Sequence, residues 1–397
     1  MRRNATLMFA VAMHATFLSI LIFQPASSQE FEHLTYLPVL QNQLDVSWRW
    51  HIQADIVLDP RPFNKPVSIS DRSGRIHLFW DTLTEPRLIY HTVLSEQGWA
   101  KIQPIAQTIG TSYLLYPPVI SEDGLLHFVW RNWLGTGLEN PYRLLYARFD
   151  GLHWNAEEEI VRTAYEMQAM VQTGEPREIH VTYVEPLFFS RIHQSKRTEN
   201  GWERTSNVNP SHSVSLVWPD RFGGIHLYES YNYTNDLHYS YWLNGSFVIE
   251  NTVFHGNLLG HESQLDGQNN LHIFWTGQVP VVGSQIQGLY YQCLSKHLFA
   301  SPEQVLSGAT EITGPVIKAS DNQSRIALAW KEAESGIIQL MVRNECILQK
   351  TKPIPLSEGI NWEPITLAIS AIPKNTCILA RQPYTSNYSI MCAEIID

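Results

Sequence analysis

One phrase recurs along the chain: a turn with Asp and Gly, an aliphatic residue, His, two strand formers and an aromatic. It appears as Asp71-Arg-Ser-Gly74-Arg-Ile-His77-Leu-Phe-Trp80 and as Asp123-Gly124-Leu-Leu-His127-Phe-Val-Trp130. It returns as Gly174 to Ile179-His180-Val-Thr-Tyr183, Gly224-Ile-His226-Leu-Tyr228 and Asp266-Gly267 to Leu271-His272-Ile-Phe-Trp275, and a sixth copy, Asp321 to Trp330, carries Ala327 in place of the His. These positions lie 50, 53, 46, 46 and 55 residues apart, a spacing that fits a β-propeller blade and is too long for ankyrin or TPR repeats. Each phrase is followed by a second aromatic strand and then a hairpin such as Asn200-Gly201 or Asp150-Gly151, the strongest short hairpin signal. With the short apolar run before each turn, every repeat supplies the four strands of a blade.

Six complete blades run from about residue 65 to about residue 357. The tail adds three strands, around Ile365–Ile369, Thr376–Ala380 and Tyr388–Cys392, and Val46–Ile52 supplies a fourth from the other end of the chain. The expectation is an all-β, seven-bladed propeller of four-stranded antiparallel blades, its last blade closed by the N-terminal strand. Such closure hides the edges that an open sheet exposes.

Composition fits this class. Of 397 residues, 44% are hydrophobic and 17% charged, which excludes a disordered chain. Arg2 and Arg3 precede an apolar run from Ala5 to Phe23 and a small-residue stretch ending at Ser28, the pattern of a secretory signal peptide. The expected organisation is a signal peptide over 1–28, a lead-in over 29–43 and the propeller over 44–397, in a secreted, periplasmic or cell-surface protein. A membrane is a partner only if the signal segment stays uncleaved. The formal charge of -10 becomes -12 once Arg2 and Arg3 are removed, with no acid lost. That surface repels phosphate backbones and argues against nucleic acid as a partner. Four cysteines without zinc-site spacing read as disulfides in an exported protein. Cys377 and Cys392, on neighbouring predicted strands, are the expected pair.

At this level the sequence resembles the sialidase-like, BNR-repeat propellers of exported bacterial proteins, over nearly the whole mature chain. Asp150-Gly151-Leu-His-Trp154 approaches the Asp-box of that family. The family's arginine triad and Tyr-Glu nucleophile pair have no matching motif here. The resemblance implies a carbohydrate-directed propeller, either a sialidase-like hydrolase or a lyase acting on uronate-containing glycans. A propeller that binds a glycan or a cell-surface protein without turnover is the non-enzymatic alternative.

Five His at equivalent positions do not read as a metal array. Neighbouring blades lie about 10 Å apart, whereas zinc needs each nitrogen at about 2 Å. They read as buried imidazoles bonded to a neighbouring blade, and neither a metal nor a cofactor is expected. Function is expected where loops entering the first strands and leaving the second strands meet at the channel mouth. Those loops offer Glu166, His261, Glu262 and Tyr116 as candidate catalytic groups. The candidate substrate-binding groups are Arg61, Asn64, Arg131, Trp133, His212, Tyr231, Glu311 and Trp362. Paired carboxylates suit glycoside hydrolysis, a His beside a Tyr suits proton abstraction next to a uronate carboxyl, and an aromatic platform with polar neighbours suits sugar binding. Two loops leaving second strands look long enough to be functional, Arg131–Arg143 and Thr276–Gly288.

Overall fold

The computed structural model describes residues 47–396 except 59–61, 63, 83–86, 106–111, 175–177, 186–190, 209–213, 221–223, 231–236, 244, 255–256, 267–269, 282–283, 296–297, 300–302, 308–311, 320–324, 333–337, 345–353, 356–362, 370–375 and 382–386. The chain divides into Met1–Gln43 and Leu44–Asp397, and every described residue belongs to the second unit. The expected signal peptide and lead-in lie outside the described residues. Among those residues every regular element is a β-strand, and no helix is long and apolar enough to cross a membrane.

The strands form a β-propeller of antiparallel, essentially four-stranded blades. Blades one and two are Val67–Ser70, Ile76–Asp81, Ile89–Ser95, Gly98–Trp99 and Ser112–Leu115, Leu126–Trp133, Tyr142–Phe149, Glu158–Thr163. Blades three and four are Gln168–Gly174, Glu178–Glu185, Arg191–Thr198, Gly201–Val208 and Val214–Pro219, Gly224–Ser230, Leu237–Leu243, Ser246–Phe254. Blades five and six are Asn257–Leu265, Leu271–Val281, Ser284–Ser295, Leu298–Phe299 and Ile312–Ala319, Arg325–Glu332, Ile338–Asn344, Ile354–Pro355. The blades cut from one contiguous stretch of chain therefore number six, not seven. A further four-stranded sheet is composite, running Ser47–Val57, Asn387–Ile396, Thr376–Arg381, Glu363–Ile369.

The recurrent turn has a local cause. The Asp71 carboxylate accepts hydrogen bonds from the backbone N–H of Ser73 and of Arg75, both at 2.9 Å, and Gly74 takes a φ of 83° that other residues resist. Beyond the turn, side chains alternate between the two neighbouring blades. Leu78 and Trp80 pack on the composite sheet with Leu379 and Ile390, while Phe79 packs on the second blade with Phe128 and Trp130. Val129 in turn meets Val181 and Tyr183 of the third blade. Trp80, Trp130, Trp275 and Trp330 are all fully buried, so the repeated tryptophans fill the wedge between sheets and are unavailable to a ligand.

The repeated histidines bond within their own blade, which corrects the expectation of a partner on the next one. His127 Nδ1 lies 2.7 Å from the Tyr146 hydroxyl and its Nε2 2.9 Å from Ser121 Oγ. His272 sits between Tyr291 at 2.6 Å and Asp266 at 3.0 Å. In each case the tyrosine comes from the third strand, where residues two apart on paired strands share a face, and the other partner comes from the turn between the first and second strands. The expected long loop over Thr276–Gly288 is instead a hairpin arm, paired as far as Val281 opposite Ser284. The Cys377–Cys392 disulfide is present, with a sequence separation of 15.

Candidate functional site

The end of the second blade where its second strand leaves gathers four of the expected site residues, Arg131, Trp133, Glu166 and Tyr116. Trp133 stands directly opposite Tyr142 in the strand register, and Arg131 precedes it by two, so all three share one face. That face turns toward the third blade, as Val129 on the same strand shows. There Glu166, in the segment that leads into the third blade, pairs with Arg131 at 2.6 Å. The guanidinium also donates to the Met167 carbonyl at 3.0 Å and lies 5.6 Å from the centre of the Tyr142 ring.

Arg131 is thus held from three sides, with its side chain 13% exposed, while the Glu166 side chain is 60% exposed. A charge-assisted pair fixed at its buried end presents a carboxylate of defined orientation to solvent. Tyr116 lies beneath. It is buried, its hydroxyl donates to the same Met167 carbonyl, and burial pushes its ionisation well above the usual tyrosine range. It is therefore neutral and shares the Met167 carbonyl with Arg131.

The remaining candidates are dispersed. Asn64 donates to the Asp81 carboxylate twice, from its backbone N–H at 3.1 Å and from Nδ2 at 2.9 Å. Asp81 is buried, and desolvation raises its carboxyl even against those bonds and the nearby Arg87 charge. Glu262 lies on the first strand of the fifth blade, opposite Phe274. It keeps contact with solvent, yet the surrounding protein desolvates its carboxyl and pushes it upward, opposed by the charge of Lys65. Of His261 only the strand position, opposite Trp275, is described. Arg61, His212, Tyr231, Glu311 and Trp362 lie outside the described residues.

The sequence reading did not single out a second cluster, on the third blade. Tyr183 faces His193 across the register with ring centres 5.1 Å apart. Arg204 donates to the Tyr183 hydroxyl at 2.9 Å, and His193 Nε2 lies 3.4 Å from the Glu185 carboxylate. Tyr183 is 1% and His193 6% exposed. Tyr142 was missed as well, although its place opposite Trp133 could have been read from the hairpin pairing. Among the described residues no group of three or more His, Cys, Asp or Glu side chains is arranged to hold a metal ion.

No family model and no curated protein matches the sequence. Among solved structures the chain is similar to the acylaminoacyl peptidase of Pyrococcus horikoshii, with a TM-score of 0.50 and 10% identity over 80% of this chain and 49% of that one. It therefore spans about half the length of that peptidase. It is also similar to an α-L-arabinanase of Penicillium chrysogenum complexed with arabinobiose, with a TM-score of 0.42 and 10% identity over 70% of this chain and 92% of that one. A further likeness is to a microbial sialidase, with a TM-score of 0.42 and 11% identity over 74% of this chain and 66% of that one. At such identities the likeness is one of fold.

Proposed function

We propose that the protein is an exported, sialidase-like propeller that binds carbohydrate at its channel mouth, on the second blade where it meets the third. The observation that carries this reading is the 2.6 Å Arg131–Glu166 pair, whose outward carboxylate stands beside a face that also bears Trp133 and Tyr142. Aromatic faces take the apolar side of a sugar ring, and a fixed carboxylate with its guanidinium meets the hydroxyl groups. Pre-orientation of both by Met167 and Tyr142 spares the ligand the entropy of ordering them.

Binding without turnover fits better than catalysis. Among the described candidates Glu166 is charge-paired, Tyr116 is buried and neutral, and Glu262 stands on a different blade, so these three do not converge on one bond. The Tyr183–His193–Arg204 cluster has the residue types a uronate lyase would use, but the burial of Tyr183 and His193, its acid and base, keeps a polymer from reaching them.

The composite sheet is proposed as a seventh blade that closes the ring. In support, Glu363–Ile369 lies against both Val67–Ser70 and Ile312–Ala319, the first strands of the first and sixth blades. Export under a signal peptide over 1–28, with the propeller over 44–397, accords with a structural disulfide.

A glycan array run on the full secreted chain, with reducing-sugar and unsaturated-uronate assays on every bound glycan, tests the reading. Binding without product is expected, and Glu166→Gln should weaken it by about tenfold to a hundredfold, the usual cost of a lost charged hydrogen bond. No bound glycan, or product released from any of them, would overturn it.

A further inference from the structure

The seam between the third and fourth blades departs from its neighbours in composition. Its mouth half is apolar, where Val184, Ile192 and Val208 pack on Val217, Ile225 and Leu227. The same face of the third blade then continues away from the mouth through Thr182 and His180. Gln194 stands opposite Thr182, and Gln172 and Lys196 stand opposite His180. Other blades with the repeated His place Phe79, Val129, Tyr228 or Phe274 where Thr182 stands. They place His91, Tyr146, Tyr239 or Tyr291 where Gln194 stands. Large apolar and aromatic fill has therefore been exchanged for small or amide side chains within one seam.

Three polar atoms on this face have no hydrogen-bond partner among the described residues: Thr182 Oγ1, His180 Nδ1 and Gln172 Oε1. Thr182 is 1% exposed. Buried polar groups left unpaired are costly and in native proteins find a partner, whether ligand or water. Their chemistry is one-sided. His180 Nε2 meets the Glu178 carboxylate at 3.1 Å, so that nitrogen carries the proton and Nδ1 of the neutral ring is an acceptor. Gln172 Oε1 is also an acceptor and the Thr182 hydroxyl serves either way. Glu178 is itself paired with Lys196, so the rim is balanced in charge. Across the seam Trp242 packs, half-buried, against the Val217–Leu227 cluster, its indole N–H bonded to Ser240 at 3.1 Å.

We propose that this seam is a second ligand site, for a small uncharged cyclic polyol of monosaccharide size. Its hydroxyl groups donate to Gln172 Oε1 and His180 Nδ1 and exchange a hydrogen bond with Thr182, while the apolar side of its ring lies on Trp242. The site is independent of the mouth, since Trp133 and Glu166 belong to the seam between the second and third blades.

Saturation-transfer NMR of the full chain with D-glucose, L-rhamnose and myo-inositol as probes tests this. A saturable signal from at least one probe is expected in the native protein and in Trp133→Ala. Thr182→Val and Trp242→Leu should weaken it by at least about tenfold, the loss expected when a buried hydrogen-bonding or stacking partner is removed. Thr182→Val is isosteric and decides the matter should Trp242→Leu fail to fold. No saturable signal from any probe leaves water alone in the seam and overturns the proposal. A signal that survives Thr182→Val, or that vanishes with Trp133→Ala, overturns it as well.

Discussion

The repeated His positions are proton-ordered latches, and their tautomers follow from their partners. In the first blade Asp71 can only accept, since its carboxyl is held below the usual range by His77, Ser73 and Arg75 despite burial. His77 Nε2 therefore donates to it at 3.4 Å and Nδ1 accepts from His91 Nε2 at 3.0 Å. That leaves His91 Nδ1 to accept the Trp154 indole N–H at 3.3 Å, so the chain of bonds crosses into the second blade through His91. His127 differs, because Ser121 replaces the acid. Burial lowers its pKa to about 4, although the Asp123 charge opposes the shift. A His held neutral in the fold and free to protonate near pH 6.5 when unfolded binds fewer protons folded. Its contribution is complete above about pH 6.5 and is lost as pH falls toward 4. The melting temperature should fall across that window and fall less steeply in His127→Gln. Identical slopes would show that His127 does not govern the acid response. The His and Trp periodicity made this layer of the structure legible, but not the direction of each bond, which depends on the residue two places along a paired strand.

At the scale of the strand, the composite sheet replaces the latch with a covalent one. Thr376–Arg381 carries Cys377 where the second strands of the first five blades carry His, and Cys392 faces it directly across the pairing. The tie holds the last strand, which among the described strands is the one that pairs with Ser47–Val57. Replacing both cysteines with Ala should cost about 3 kcal/mol in urea-induced unfolding, the chain-entropy value for a loop of this length. An unchanged midpoint would mean that the sheet closes without help from the bridge. Neighbouring predicted strands were enough to anticipate this pair. The Thr276–Gly288 segment was misread for an equally local reason: Gly277, Pro280 and Gly288 look like loop residues, and the alternation of Val279, Val281 and Ile286 that keeps the arm paired is weak by comparison.

At the scale of the whole molecule, the repeat builds the walls and departures from it supply the chemistry. Periodicity locates Trp80, Trp130 and Trp275 in the core, and by the same logic marks Trp133 and Trp242 as exceptions. It does not encode which exceptions meet, since Arg131 and Glu166 come from different blades and are joined only by the closure of one sheet on the next. Two tryptophans three residues apart on one strand separate these roles most sharply. Calorimetric titration of the tightest glycan on the array into Trp130→Ala and Trp133→Ala, with the melting temperature of each, should give opposite outcomes. Trp130→Ala should lose about 3–5 kcal/mol of stability, as a large buried ring does, and keep its affinity wherever it remains folded. Trp133→Ala should keep its melting temperature and bind at least about tenfold more weakly, the loss of an aromatic contact at a binding hot spot. A Trp133→Ala variant that melts early and binds as tightly as the native protein would contradict a ligand site at the mouth between these blades.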